Sequence, residues 1–155
     1  MGGERLDVEL EAENPGAQAF EFTCALHTYL RVAEIETTRL FGLRGMHYRD
    51  QLASGQERLE QQESLAIDAP VDRIYQAPAG GLMLREQDRS LSIQSTHFTD
   101  VVVWNPWDQG AATVSDLPRT GFRRFLCVES AAISQPIALK PGDAWWGRQT
   151  LIAVR

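Results

Sequence analysis

The sequence predicts an all-β fold, an antiparallel β-sandwich, on three observations. Apolar and polar residues alternate with a period of two, turn-forming residues recur at short intervals, and helical periodicity is scarce. The chain has 155 residues, 43% hydrophobic and 23% charged, which suits one domain with a sizeable core. No repeat, low-complexity stretch or linker divides it.

Taken in order, Leu6, Val8, Leu10 and Ala12 alternate with Asp7, Glu9 and Glu11 before an Asn14-Pro15-Gly16 turn. Phe20, Phe22, Cys24 and Leu26 then alternate with Glu21, Thr23 and Ala25. These read as two strands in sequence joined by a turn, each with one apolar face. If Phe20, Phe22, Cys24 and Leu26 face the core, then Thr23, Ala25, His27 and Tyr29 face away. His27 is therefore expected on a mixed polar face, which on a β-sandwich can be a concave ligand platform.

Further strands are predicted at residues 37–43, 58–64, 71–76, 81–86, 90–96, 101–104, 125–130, 137–139 and 144–154. Turn signals separate them: Gly42 and Gly45, Ser54-Gly55, Pro78 with Gly80-Gly81, Gln87-Asp88, Asn105-Pro106 and Pro141-Gly142-Asp143. One short helix is predicted at 116–124, with Pro118 at an early helical position.

Charge narrows the partners. Fifteen basic and 21 acidic residues leave a net charge of −6, with the basic residues scattered. Phosphate neutralisation drives most nucleic-acid affinity, so no nucleic-acid partner is expected. Lys140 is the only lysine, so an anionic ligand would meet planar guanidinium forks. Apolar runs such as 101–104 fall far short of a membrane helix, and no apolar stretch follows Arg5, so neither membrane nor signal peptide is expected. Cys24 and Cys127 lie far apart in apolar runs and read as buried thiols of a soluble cytoplasmic protein.

No Walker loop, GxGxxG, GxSxG or HExxH string occurs. His27, His47 and His97 are widely separated, which argues against a histidine metal site. The chemistry-bearing strings are Leu26-His27-Thr28-Tyr29; Gly42-Leu43-Arg44-Gly45 with Tyr48-Arg49-Asp50; Val71-Asp72-Arg73-Ile74-Tyr75; Val103-Trp104-Asn105-Pro106-Trp107; Leu126-Cys127-Val128-Glu129; and Pro141-Gly142-Asp143-Ala144-Trp145.

In order and spacing this set resembles the hexose-6-phosphate mutarotases (glucose-6-phosphate 1-epimerases) of the galactose-mutarotase-like superfamily, from about Leu6 to the C-terminus. The resemblance implies a partial β-supersandwich, a single domain corresponding to the C-terminal half of such an enzyme. It also implies that N-terminal strands and phosphate-binding arginines are absent. Residue by residue, it implies that His27 and Glu129 are catalytic and that Asp72 binds the sugar, which is a hexose 6-phosphate or other aldose. Mutarotation needs a base for the anomeric hydroxyl proton and an acid for the ring oxygen, and no cofactor. The acid and base are expected about a sugar ring apart.

The residues also admit plainer roles. A strand histidine can be structural, and Asp72 beside Arg73 can be a surface ion pair. Glu129 follows the apolar Phe125-Leu126-Cys127-Val128 run, where a buried carboxylate is costly unless paired or functional. Trp104 and Trp107 can stack on a sugar or fill the core. Arg44, Arg49 and Arg73 are candidate phosphate ligands or solvated arginines. Three functions follow: a mutarotase, a non-catalytic carbohydrate-binding sandwich, or a chain needing a missing N-terminal half or a homodimer to cover open edges.

Overall fold

A computed structural model describes residues 4–76 and 80–154. The Met1–Gly3 start and the Pro78 turn signal lie outside the described residues. Among the described residues, thirteen strands form two antiparallel sheets. They are β1 (Arg5–Glu13), β2 (Phe20–Leu26), β3 (Tyr29–Arg31), β4 (Arg39–Phe41), β5 (His47–Asp50), β6 (Gln56–Leu59), β7 (Ser64–Ala66), β8 (Val71–Gln76), β9 (Leu82–Arg85), β10 (Ser90–Thr96), β11 (Asp100–Asn105), β12 (Phe125–Leu139) and β13 (Ala144–Val154). The first sheet runs β1-β13-β10-β9-β4-β7. The second runs β2-β12-β11-β8-β5-β6, with β3 also paired to β12. No helix among the described residues is long and apolar enough to cross a membrane.

The main core fills the space between the sheets. Leu40, Leu84 and Ile93 of the first meet Val71, Tyr75, Val103, Leu126 and Val128 of the second, all buried. The period-two pleat sends the residues between them to the other face of the second sheet. There Ile74, Val102 and Ala131 form a smaller apolar cluster flanked by Trp104 and Ile133. The first part of β12, residues 125–132, is buried on both faces, so its sequence reads as an apolar run broken by Glu129 and Ser130.

Several boundaries differ from the sequence reading. The first two strands are not a hairpin: β1 pairs with β13 and β2 with β12, in different sheets. The second strand does turn Phe22 inward, where its ring meets Trp145 of β13 edge-on at 6.0 Å. Phe20 stays 43% exposed because β2 is an edge strand. The predicted 125–130 and 137–139 strands are one 15-residue strand with a register shift between Ala132 and Ile137. The predicted 58–64 strand is divided between β6 and β7, in opposite sheets.

The helix predicted at 116–124 is instead α1 (Trp107–Ala111), followed by a 3-10 turn at Gly121–Arg124. Asn105 decides this. Its buried side chain donates to the carbonyls of Phe122 and Phe125, both at 2.9 Å, and accepts from the Trp107 amide at 2.9 Å. These bonds anchor both ends of the excursion, and Pro118 sits in a turn closed by the Gly121 amide.

Candidate active site

Strand register alone brings the candidate pair together. Leu26 lies opposite Ser130 and Tyr29 opposite Cys127, so His27, between β2 and β3, falls opposite Glu129. Glu129 is opposite Val102, and Val102 is opposite Ile74. One row across the sheet is therefore His27, Glu129, Val102, Ile74. The next row is Tyr29, Cys127, Trp104, Asp72. Both rows occupy the face away from the main core.

His27 Nε2 stands 3.3 Å from Glu129 Oε1. The imidazole is 51% exposed and the carboxylate 6%. The predicted separation of about a sugar ring is thus not what is observed, because a register pair on adjacent strands places the two side chains in contact. His27 stacks on Tyr29, with centroids 4.9 Å apart, and meets the Trp104 ring edge-on at 5.7 Å. With Asp72, Ile74, Val102 and Ile133 the pair lines an open cleft of about 300 Å³.

Electrostatics distinguish the two carboxyls. Burial, and secondarily the charge of Asp72, pushes Glu129 up to about 7. Asp72 is also raised, by burial first and Asp50 second. A carboxyl near neutrality beside an imidazole can accept or return a proton at physiological pH. The Asp72 carboxylate, across the cleft, can accept hydrogen bonds from a polyol.

Other predicted ligands sit elsewhere. Arg73 alternates with Asp72 along β8, so it points to the opposite face and not into the cleft. There it donates to Glu60 Oε2 at 3.2 Å and lies over the Tyr48 ring. Arg44 pairs with Glu63 at the surface, and Trp107 packs on Phe122. The histidines stay apart: His97 contacts Trp146, and His47 lies on β5. The sequence reading placed Tyr29 on the outward face and read Cys127 as a buried thiol but gave neither a place in the site, although each lies two residues from a named candidate and so shares its face.

His27, Cys127 and Glu129 offer ligand atoms within 4.8 Å of one another. Burial raises the Cys127 thiol strongly, which opposes the thiolate a metal would need. A larger cavity, about 650 Å³, lies beside β3 and β10. Its charged lining includes the Arg89–Glu86 ion pair but no pairing of imidazole with carboxylate, so the chemistry points to the smaller cleft.

Comparisons with known proteins agree on the family. The profile of the aldose 1-epimerase family matches residues 1–151. A Cenchrus ciliaris protein named "Putative glucose-6-phosphate 1-epimerase" is 36% identical over 143 residues, covering 91% of this chain and 44% of its own length. An Escherichia coli protein of the same name is 28% identical, covering 86% of this chain and 44% of its own. The chain thus spans less than half the length of these relatives. Among solved structures, a "putative mutarotase (YeaD)" from Salmonella typhimurium superposes with a TM-score of 0.90 at 25% identity, over 99% of this chain and 51% of that one. Galactose 1-epimerase from Lactobacillus acidophilus, at 12% identity, shares the fold with a TM-score of 0.72, over 97% of this chain and 53% of its own. On the match across nearly its whole length, the chain belongs to the aldose 1-epimerase family.

Proposed function

We propose that this chain carries the acid–base centre of an aldose mutarotase, interconverting α and β anomers, with a hexose 6-phosphate as substrate. The observation that carries the reading is the contact of exposed His27 with buried Glu129 at the floor of an open cleft. Family membership and the relatives' names support it.

The Glu129 carboxylate takes the proton of the anomeric hydroxyl while the His27 imidazolium gives a proton to the ring oxygen. The C1–O5 bond breaks, and the C1–O1 bond becomes a carbonyl. Rotation about C1–C2 exposes the other face, and reversal of the two proton transfers closes the ring to the opposite anomer. The ring oxygen and the anomeric oxygen share C1, so acid and base serve adjacent atoms and need not stand a ring apart. Asp72 holds sugar hydroxyls, and Trp104 offers an aromatic wall. The chain corresponds to the C-terminal half of a longer mutarotase.

The test is anomerisation of freshly dissolved α-glucose 6-phosphate, followed by polarimetry or NMR exchange. Wild type should exceed the spontaneous rate, and His27→Ala or Glu129→Gln should each lose about 10²–10⁴-fold with the fold retained. Full activity in both variants overturns the assignment. Sugar binding without turnover in the wild type favours the carbohydrate-binding reading instead.

A further inference from the structure

Cys127 adds a third donor to the His27–Glu129 pair. It lies two residues before Glu129 on β12, so both side chains leave the same face of that strand, and His27 approaches from between β2 and β3. One ring nitrogen of His27, the Cys127 sulfur and one Glu129 carboxylate oxygen lie within 4.8 Å of one another. His27 Nε2 and Glu129 Oε1 are 3.3 Å apart. Two ligands about 2.1 Å from a tetrahedral ion stand about 3.4 Å from each other, so this pair already has the bite of a zinc site. A thiolate about 2.3 Å from the ion stands about 3.6 Å from each of them, so closing the set needs shifts of about 1 Å. The half-exposed His27 ring has the freedom to make them.

Charge and softness select the ion. Two carboxyls, Asp72 and Glu129, line the cleft and no lysine or arginine among the described residues does, so its field favours a cation. Carboxylate, thiolate and neutral imidazole together cancel the charge of a divalent ion, the condition for holding it where Glu129 and Cys127 are buried. Burial keeps the Cys127 proton in place, so oxygen-seeking ions such as Mg²⁺ gain nothing from the sulfur. A thiophilic ion exchanges for that proton, which passes to solvent as the metal–sulfur bond forms. Three protein ligands leave a fourth position open toward the cleft.

We propose that His27, Cys127 and Glu129 form an inhibitory site for a thiophilic divalent cation, Zn²⁺ or Cd²⁺. The ion engages imidazole and carboxylate at once and so removes both the acid and the base. The inhibition rests on the mutarotase reading; the binding does not.

The experiment adds cadmium chloride to the full chain and follows the ultraviolet absorption of the cadmium–thiolate bond, for wild type, Cys127→Ser, His27→Ala and Cys24→Ser. Zinc chloride is added in parallel to the anomerisation assay, with magnesium chloride as the oxygen-seeking control. The band should saturate at one ion per chain in wild type and Cys24→Ser, and vanish in Cys127→Ser. In His27→Ala it should need more than about tenfold more cadmium, since losing even an outer-shell partner costs about 10- to 100-fold. Zn²⁺ should return the wild-type rate to the spontaneous one, reversibly on chelation, and Mg²⁺ should not. In Cys127→Ser the zinc concentration for half-inhibition, taken against that variant's own uninhibited rate, should rise by a similar margin. No band in wild type, a band that follows Cys24 instead of Cys127, or a band indifferent to loss of His27 overturns the site. Equal zinc inhibition of wild type and Cys127→Ser overturns it as well. The expected cadmium band in a wild type no faster than the spontaneous reaction overturns the mutarotase reading and leaves the metal site standing.

Discussion

Burial gives Glu129 opposite consequences for stability and for chemistry. Its carboxyl rises from 4.5 to about 7 on folding, so the folded chain binds the extra proton between those values. That contribution is full below about 4.5 and is lost as pH rises through about 7. Denaturant unfolding should therefore show wild-type stability falling across that window relative to Glu129→Gln, in which the group does not titrate. A parallel pH dependence in the two proteins would exclude it. Under the proposed mechanism activity has the opposite dependence on this group: ionisation of the Glu129 base raises kcat/KM with pH through about 7, and loss of the His27 proton, which the acid role needs, lowers it again at higher pH. Arg73 gives a contrasting case. Its Glu60 partner is 5% exposed and also accepts from the Tyr75 hydroxyl at 2.9 Å. Arg73→Met should cost about 2–3 kcal/mol in urea unfolding by removing a bond to a buried charge, while leaving kcat unchanged. A loss of kcat with stability intact would return Arg73 to the site.

Between elements, the row that holds His27 and Glu129 is held from behind by the other sheet. Gln149 of β13 is fully buried, donates to the Val128 carbonyl at 2.9 Å, and accepts from the Thr28 hydroxyl at 2.5 Å. Val128 and Thr28 are the chain neighbours of Glu129 and His27, so this one amide ties the backbone beside Glu129 to the side chain beside His27. Gln149→Leu should strip this donor from the Val128 carbonyl and leave the Thr28 hydroxyl only its longer bond to the Leu26 carbonyl, at 3.2 Å, costing about 1–3 kcal/mol. It should also lower kcat, measured by the anomerisation assay alongside a thermal melt. Alternation made the strand faces legible in the sequence: it placed His27 outward before any pairing was known. It also contained the fact that Asp72 and Arg73 face opposite ways, which the reading of both as ligands overlooked. Pairing across sheets was not legible. The turn at Asn14 looks like a hairpin turn locally, and only the long-range ladders β1·β13 and β2·β12 separate the two strands. The helix near Trp107 was hidden because a single buried side chain, Asn105, fixes it through carbonyls up to 20 positions away.

At the scale of the molecule, the sandwich is left open at one side. Leu6 and Val8 of β1 and Phe20 of β2 turn toward the space between the sheets, yet are 57%, 37% and 43% exposed. Among the described residues both strands are edges, and β1 presents nine residues with no strand on their outer side. Such an edge promotes pairing with another chain. The opposite face of β1 carries Asp7, Glu9, Glu11 and Glu13, offset by Arg5 on the same strand and Arg148 of β13. Two copies meeting edge to edge would bring these carboxylates together, so the attraction is apolar and the opposition electrostatic. Salt screens the second and not the first. Sedimentation of the 17.4 kDa chain should therefore reveal concentration-dependent self-association that strengthens as ionic strength rises. Leu6→Lys with Phe20→Lys should weaken it by placing charge on the open apolar side, with little change in the melt because both positions are already exposed. A monodisperse monomer at high protein and high salt would show that the exposed apolar side does not drive association, and an association that salt weakens would show that ionic contacts do.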